Sequence, residues 1–230
     1  MMRLLVSVRS VDEARVAASG GADFIDLKEP RAGALGGLPV AVIADIVAAL
    51  RAAGSRLPIS ATIGDLPMHE LPAIVQQVQA VAECGVDYVK VGIEAGPGAP
   101  AVLQALSDLP WPIVPVFIAD HGLNMALVKQ ALHFPAVMAD TADKLSGSLF
   151  DCVPPEDLLR FVALAREAGT MVGLAGALRQ AHLRMLQSLA PDFAGFRSAV
   201  CAGDRGSALD AGLLRGLAQA LKDRRSPTPG

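Results

Sequence analysis

The run Phe24-Ile25-Asp26-Leu27-Lys28-Glu29-Pro30 begins as an apolar strand and ends with a carboxylate and an amine two positions apart. Residues i and i+2 of a strand share a face, so Asp26 and Lys28 look into one space. Such a pair fits a surface ion pair at a strand end. It equally fits a site in which a lysine amine is held, partly desolvated and served by a proton carrier. The pattern then returns. Asp87-Tyr88-Val89-Lys90-Val91-Gly92 again puts a lysine at the end of an apolar strand, and Val137-Met138-Ala139-Asp140 is followed by Lys144. The chain has only five lysines (Lys28, Lys90, Lys129, Lys144 and Lys222), and three of them stand at or just past predicted strand ends. Those three occupy places where an amine's chemistry can be used, since a guanidinium is not deprotonated at working pH.

Working outward from Phe24, strands are predicted over 3–8, 23–28, 58–62, 87–92, 112–118, 136–140, 171–175 and 193–196. Helical periodicity fills the intervals, over 11–19, 39–53, 69–84, 99–108, 123–132, 154–168, 179–189 and 207–222. Eight strand–helix units in 230 residues predict a single (β/α)₈ TIM barrel over residues 1–222, with 223–230 a flexible tail. No Gly-x-Gly-x-x-Gly follows the first strand, which weakens the dinucleotide-binding alternative. The 139–153 connection is long enough to serve as a lid.

Composition narrows the function. Hydrophobic residues make up 52% of the chain, in runs too short to cross a bilayer, so the excess predicts a large core and a subunit interface in a homo-oligomer. A net charge of -3, 4% aromatics and no basic tract argue against nucleic-acid binding. The amino terminus enters a strand with no secretory signal, and Cys84, Cys152 and Cys201 are scattered, which suits reduced thiols in a cytoplasmic protein.

In a barrel the strand C-termini converge on one mouth, which gathers Asp26, Lys28, Lys90, Asp140 and Lys144. The loops after strands 7 and 8, Gly173-Leu174-Ala175-Gly176 and Gly195-Phe196-Arg197-Ser198, fall where barrels bind phosphate. Their glycines admit backbone N–H groups, while Arg197 offers charge-assisted bonds and Ser198 a hydroxyl. Ser7 and Arg9 are candidates for a second anion, and His121 for a substrate contact. The histidines lack metal-binding spacing, so no metal or cofactor is expected.

These blocks, together with Tyr88-Val89-Lys90-Val91-Gly92 and Gly195 to Cys201, resemble the (5-formylfuran-3-yl)methyl phosphate synthase family of methanofuran biosynthesis, over nearly the whole chain. The resemblance implies a Schiff base on Lys28 and a proton acceptor in Lys90, with Asp26, Asp140 and Lys144 completing the site. Gly176, Gly195, Arg197 and Ser198 would lie at phosphate. It further implies that two molecules of glyceraldehyde 3-phosphate are joined into a phosphorylated furan aldehyde, with loss of one phosphate and two waters. Related outcomes on the same architecture are a class I aldolase or transaldolase of sugar phosphates, or a non-catalytic barrel that binds a phosphometabolite.

Overall fold

A computed structural model describes residues 2–33, 35–142 and 147–222. Lys144 and the tail 223–230 lie outside the described residues. The strands are β1 (Arg3–Val8), β2 (Phe24–Leu27), β3 (Ile59–Thr62), β4 (Tyr88–Ile93), β5 (Ile113–Ile118), β6 (Ala136–Asp140), β7 (Met171–Leu174) and β8 (Phe193–Phe196). They pair in parallel in sequence order, and β8 closes on β1, which makes the predicted barrel.

The helices are α1 (Val11–Ser19), α2 (Val40–Ala52), α3 (Leu71–Ala82), α4 (Ala99–Ser107), α5 (Met125–Gln130), α6 (Leu149–Cys152), α7 (Pro155–Glu167), α8 (Leu183–Leu189) and α9 (Ala211–Lys222). Three of these depart from expectation: α8 starts at Leu183 rather than 179, after a 3₁₀ turn over Gln180–His182. The short α6 lies inside the connection read as a lid, where the Ser148 N–H and O–H both donate to Asp151 Oδ2 at 2.7 Å. The last helix starts at Ala211 rather than 207, because the preceding chain folds back on itself through an antiparallel bridge between Cys201 and Leu209. No helix of the described residues is long and apolar enough to cross a membrane.

Strand alternation divides the core in two. Ile25, Leu27, Ile59, Val89 and Val137 face outward and pack on helix residues such as Ile43, Ile46, Leu50 and Ile74. Leu5, Phe24, Val114, Val116, Met138 and Phe193 fill the barrel interior. Register stacks that interior in layers drawn from alternate strands. Phe24, Tyr88, Ala136 and Phe193 form a floor at the strand N-termini, with Asp26, Lys90, Met138 and Gly195 above it and Lys28, Gly92 and Asp140 at the rim.

The floor has a local signature. Asp23-Phe24, Asp87-Tyr88 and Asp192-Phe193 each enter a strand with a carboxylate followed by an aromatic ring. The carboxylates accept backbone N–H groups from neighbouring strands, Leu4 at 2.7 Å, Ile59 at 2.7 Å and Val172 at 2.8 Å, while the rings turn inward. Phe24 and Phe193 lie 5.5 Å apart between centroids, and the Arg3 guanidinium covers the Phe24 ring at 4.7 Å. Gly173 makes room for this: a Cβ there would overlap the Phe193 ring. Gly173→Ala is therefore expected to cost about 1–3 kcal/mol. At roughly 2–4 °C per kcal/mol for a chain of this size, thermal denaturation will read the loss directly. An unchanged midpoint would mean that Phe193 swings aside freely.

Candidate active site

The deeper of two charged layers is centred on Asp26. Its Oδ1 accepts from Lys90 Nζ at 2.9 Å and from Ser60 Oγ at 2.7 Å, and its Oδ2 from Ser7 Oγ at 3.1 Å. The register dictates this arrangement, since Ser7 on β1 and Ser60 on β3 stand directly beside Asp26 on the central strand. Three donors hold the carboxylate, so its geometry is fixed. Ser60 was not singled out in the sequence, and the Ser7 hydroxyl, a candidate there for a second anion, donates to this carboxylate.

At the rim, Lys28 Nζ, from the residue that follows β2, reaches Asp140 Oδ2 from β6 at 3.4 Å, across the barrel. Asp140 Oδ1 also accepts the Thr141 N–H at 2.8 Å. Gly92 belongs to the same layer, and Leu35 from the loop after β2 packs over it, its Cδ1 only 2.8 Å from where a Cβ would stand. All four charged residues are buried, with Asp26, Lys28, Lys90 and Asp140 exposed by 1%, 5%, 2% and 3%. Ionic groups so desolvated are tolerated because each charge has a partner.

Above them opens a cavity of about 260 Å³, lined by all four and by Gly176, Gly195, Arg197 and Ser198. Gly176 has φ +110, and a Cβ there would lie 2.9 Å from Thr141 Oγ1, so glycine lets this loop cross behind the site. A Cβ on Gly195 would come within 3.1–3.3 Å of Ala175, Met138 and Leu5, so its absence keeps the cavity open above Met138. Ser198 is exposed at the start of a single 3₁₀ turn, Ser198–Val200.

Arg197 departs from its expected part. Its guanidinium turns toward α1 and binds Glu13 in bidentate fashion, Nη1 to Oε2 at 2.7 Å and Nη2 to Oε1 at 3.0 Å. The remaining N–H groups go to the carbonyls of Ser7 at 3.0 Å, Ser207 at 2.7 Å and Arg205 at 2.9 Å. A guanidinium has five N–H donors, and all are spent on the protein. Arg197 thus forms cavity wall without a donor to spare for phosphate. Arg9 likewise stands against Glu13, at 3.7 Å, and His121 is exposed outside the cavity lining.

Several residues of this site were not singled out in the sequence, among them Ser60, which donates to Asp26. Arg205 and Arg179 line the cavity, and Glu13 anchors Arg197. Glu13 was discoverable, as a carboxylate on the α1 face that also carries the buried Ala14 and Ala17. The arginines carry no such signal, being two among fifteen. Among the described residues, no group of three or more His, Cys, Asp or Glu side chains is gathered as a metal would require.

The family described as 4-HFC-P synthase matches residues 4–218. The (5-formylfuran-3-yl)methyl phosphate synthase of Archaeoglobus fulgidus is 38% identical over 238 residues, covering 96% of this chain and 99% of its own. That of Methanopyrus kandleri is 35% identical over 237 residues, covering 95% and 98%. Among solved structures, phosphoribosyl anthranilate isomerase from Thermus thermophilus superposes with a TM-score of 0.68 at 17% identity, covering 97% of this chain and all (100%) of its own. KGPDC from Streptococcus mutans gives 0.65 at 16%, covering 96% and 97%. At such identities these two structures speak for the fold alone.

Proposed function

The chain belongs to the 4-HFC-P synthase family, an enzyme family, and on that premise we propose that it condenses two molecules of glyceraldehyde 3-phosphate into (5-formylfuran-3-yl)methyl phosphate through a Schiff base on Lys28. The two trioses supply every atom of the product, and one phosphate and two waters leave. Water lost in forming the imine returns on its hydrolysis.

One observation carries this reading: two buried lysines stand at different heights beneath one cavity, each against its own aspartate. Of these two amines, Lys28 stands nearer the rim, and its 3.4 Å contact with Asp140 is the looser of the two pairs. Condensation there expels water and makes the adjacent C–H acidic, which permits carbon–carbon bond formation through an enamine. Lys90, one layer below, is in position to accept a proton, and its partner Asp26 keeps it oriented. Asp140 serves the eliminations as a proton carrier beside the imine nitrogen.

Incubation with glyceraldehyde 3-phosphate and borohydride, followed by mass mapping, tests the imine. A reduced adduct on Lys28 is expected, with a near-ultraviolet furan band growing when borohydride is omitted. An adduct without the band would indicate an aldolase, and no adduct at Lys28 despite a growing band would reject this lysine as the nucleophile.

A further inference from the structure

Among the described residues, most charged side chains that line the cavity stand against an opposite charge. Lys28 is matched by Asp140, Lys90 by Asp26 and Arg197 by Glu13. Asp204, also at the rim, is near Arg31 and accepts the Gly206 N–H and the Ser207 hydroxyl at 2.9 and 3.1 Å. Among the described residues, the guanidinium groups of Arg205 and Arg179 have no hydrogen-bond or ion-pair partner, although both line the cavity. Arg179 is exposed, whereas Arg205 is half-buried. Burial pushes the Arg205 guanidinium below its usual range, with Asp140 opposing that shift.

The segment that carries Arg205 is built to hold still. Arg197 donates to the carbonyls of Arg205 and Ser207, and Arg31 Nη2 donates to that of Gly206 at 3.4 Å. The Ala202 N–H meets the Ala208 carbonyl at 3.3 Å, next to the Cys201–Leu209 bridge. The buried Arg197–Glu13 pair therefore fixes the backbone of the one half-buried cation at the mouth that is left, among the described residues, without a partner.

We propose that Arg205 is the group that receives a substrate's phosphate monoester, beside the Gly176 and Ser198 loops, and that Arg197 is its positioning residue. The proposal rests on the phosphorylated-substrate reading above. A desolvated guanidinium offers bidentate, charge-assisted bonds to phosphate oxygens, and a fixed backbone reduces the ordering cost of making them.

Calorimetric titration of the full chain with inorganic phosphate tests this without any turnover. Arg205→Gln is expected to weaken binding about tenfold to a hundredfold, with Arg205→Lys in between. Arg15→Gln, at an exposed position on α1, should bind as the unaltered protein does. Equal affinity in Arg205→Gln, or no phosphate binding by the unaltered protein at millimolar concentration, would overturn the proposal. For Arg197 the readout is coupling: Arg197→Lys should weaken phosphate binding on its own and add nothing in the Arg205→Gln background. Additive losses would make Arg197 a direct ligand, and if Arg197→Lys fails to fold, Ser207→Ala removes a hydrogen bond that holds the same segment without altering the charge at the rim and gives the same comparison. Phosphate binding through Arg205 in a protein that makes no furan aldehyde would end the synthase reading alone. Furan synthesis with unchanged phosphate affinity in Arg205→Gln would end this one alone.

Discussion

Lys28→Ala is expected to lower furan formation by about 10⁴-fold or more, since loss of a covalent nucleophile removes the step on which the others depend. The circular dichroism spectrum at room temperature should stay that of a folded barrel, although the melting temperature should fall because buried Asp140 loses a charge partner. The side chain sits at the rim of an open cavity, and Asp140 keeps the Thr141 N–H after Lys28 is gone. Lys28→Arg sharpens the test, because a guanidinium preserves the charge facing Asp140 yet forms no imine. Both variants should be equally inactive. Substantial turnover in either one would move the Schiff base elsewhere, and Lys90 would be the next residue to map.

The second large effect concerns stability. Asp26→Asn leaves the Lys90 ammonium buried beneath the cavity with its countercharge removed. Breaking a buried ion pair from one side costs about 3–5 kcal/mol. For a chain of this length that corresponds to a fall of roughly 6–20 °C in melting temperature. Asp26→Asn combined with Lys90→Met removes both charges, and most of the lost stability should return while the product band stays absent. Calorimetric melting of the two single variants and the double variant measures the coupling. Simple additivity of the losses would show that Asp26 stabilises the barrel through Ser7 and Ser60 rather than through Lys90.

The sequence carried the barrel because each strand is a short apolar run that ends in chemistry or glycine, and the helix between neighbours is unambiguous in its period. Lys28 and Lys90 were legible for the same reason: a lysine in an otherwise apolar strand is conspicuous. Which aspartate each lysine meets was not. Asp26 and Lys28 share a face of one strand, yet they bind opposite partners, because the tilt of the strands sets Asp26 level with Lys90 and Lys28 level with Asp140. Arg197 shows the reverse error. Its place after strand 8 suggested phosphate, whereas the carboxylate that claims it sits on α1, 184 residues away in the chain. Arg205 was hidden because it falls in the connection between strand 8 and the helix predicted from 207, where no periodicity marks it. Its Asp-Arg-Gly turn becomes visible only when the backbone closes across it.

The aromatic floor beneath Lys90 has a consequence for traffic. Phe24, Phe193 and the arginine stacked on Phe24 crowd the strand N-terminal end, leaving a cavity of about 20 Å³ beneath Lys90 against about 260 Å³ on the rim side. A narrow vessel entered mainly from one end fills and empties in order. In the proposed condensation of two trioses, the first to enter would lie innermost and the second would stand in its exit. Arrival of the second molecule is then also the event that commits the first, and crowding at the doorway slows departure as much as it speeds entry.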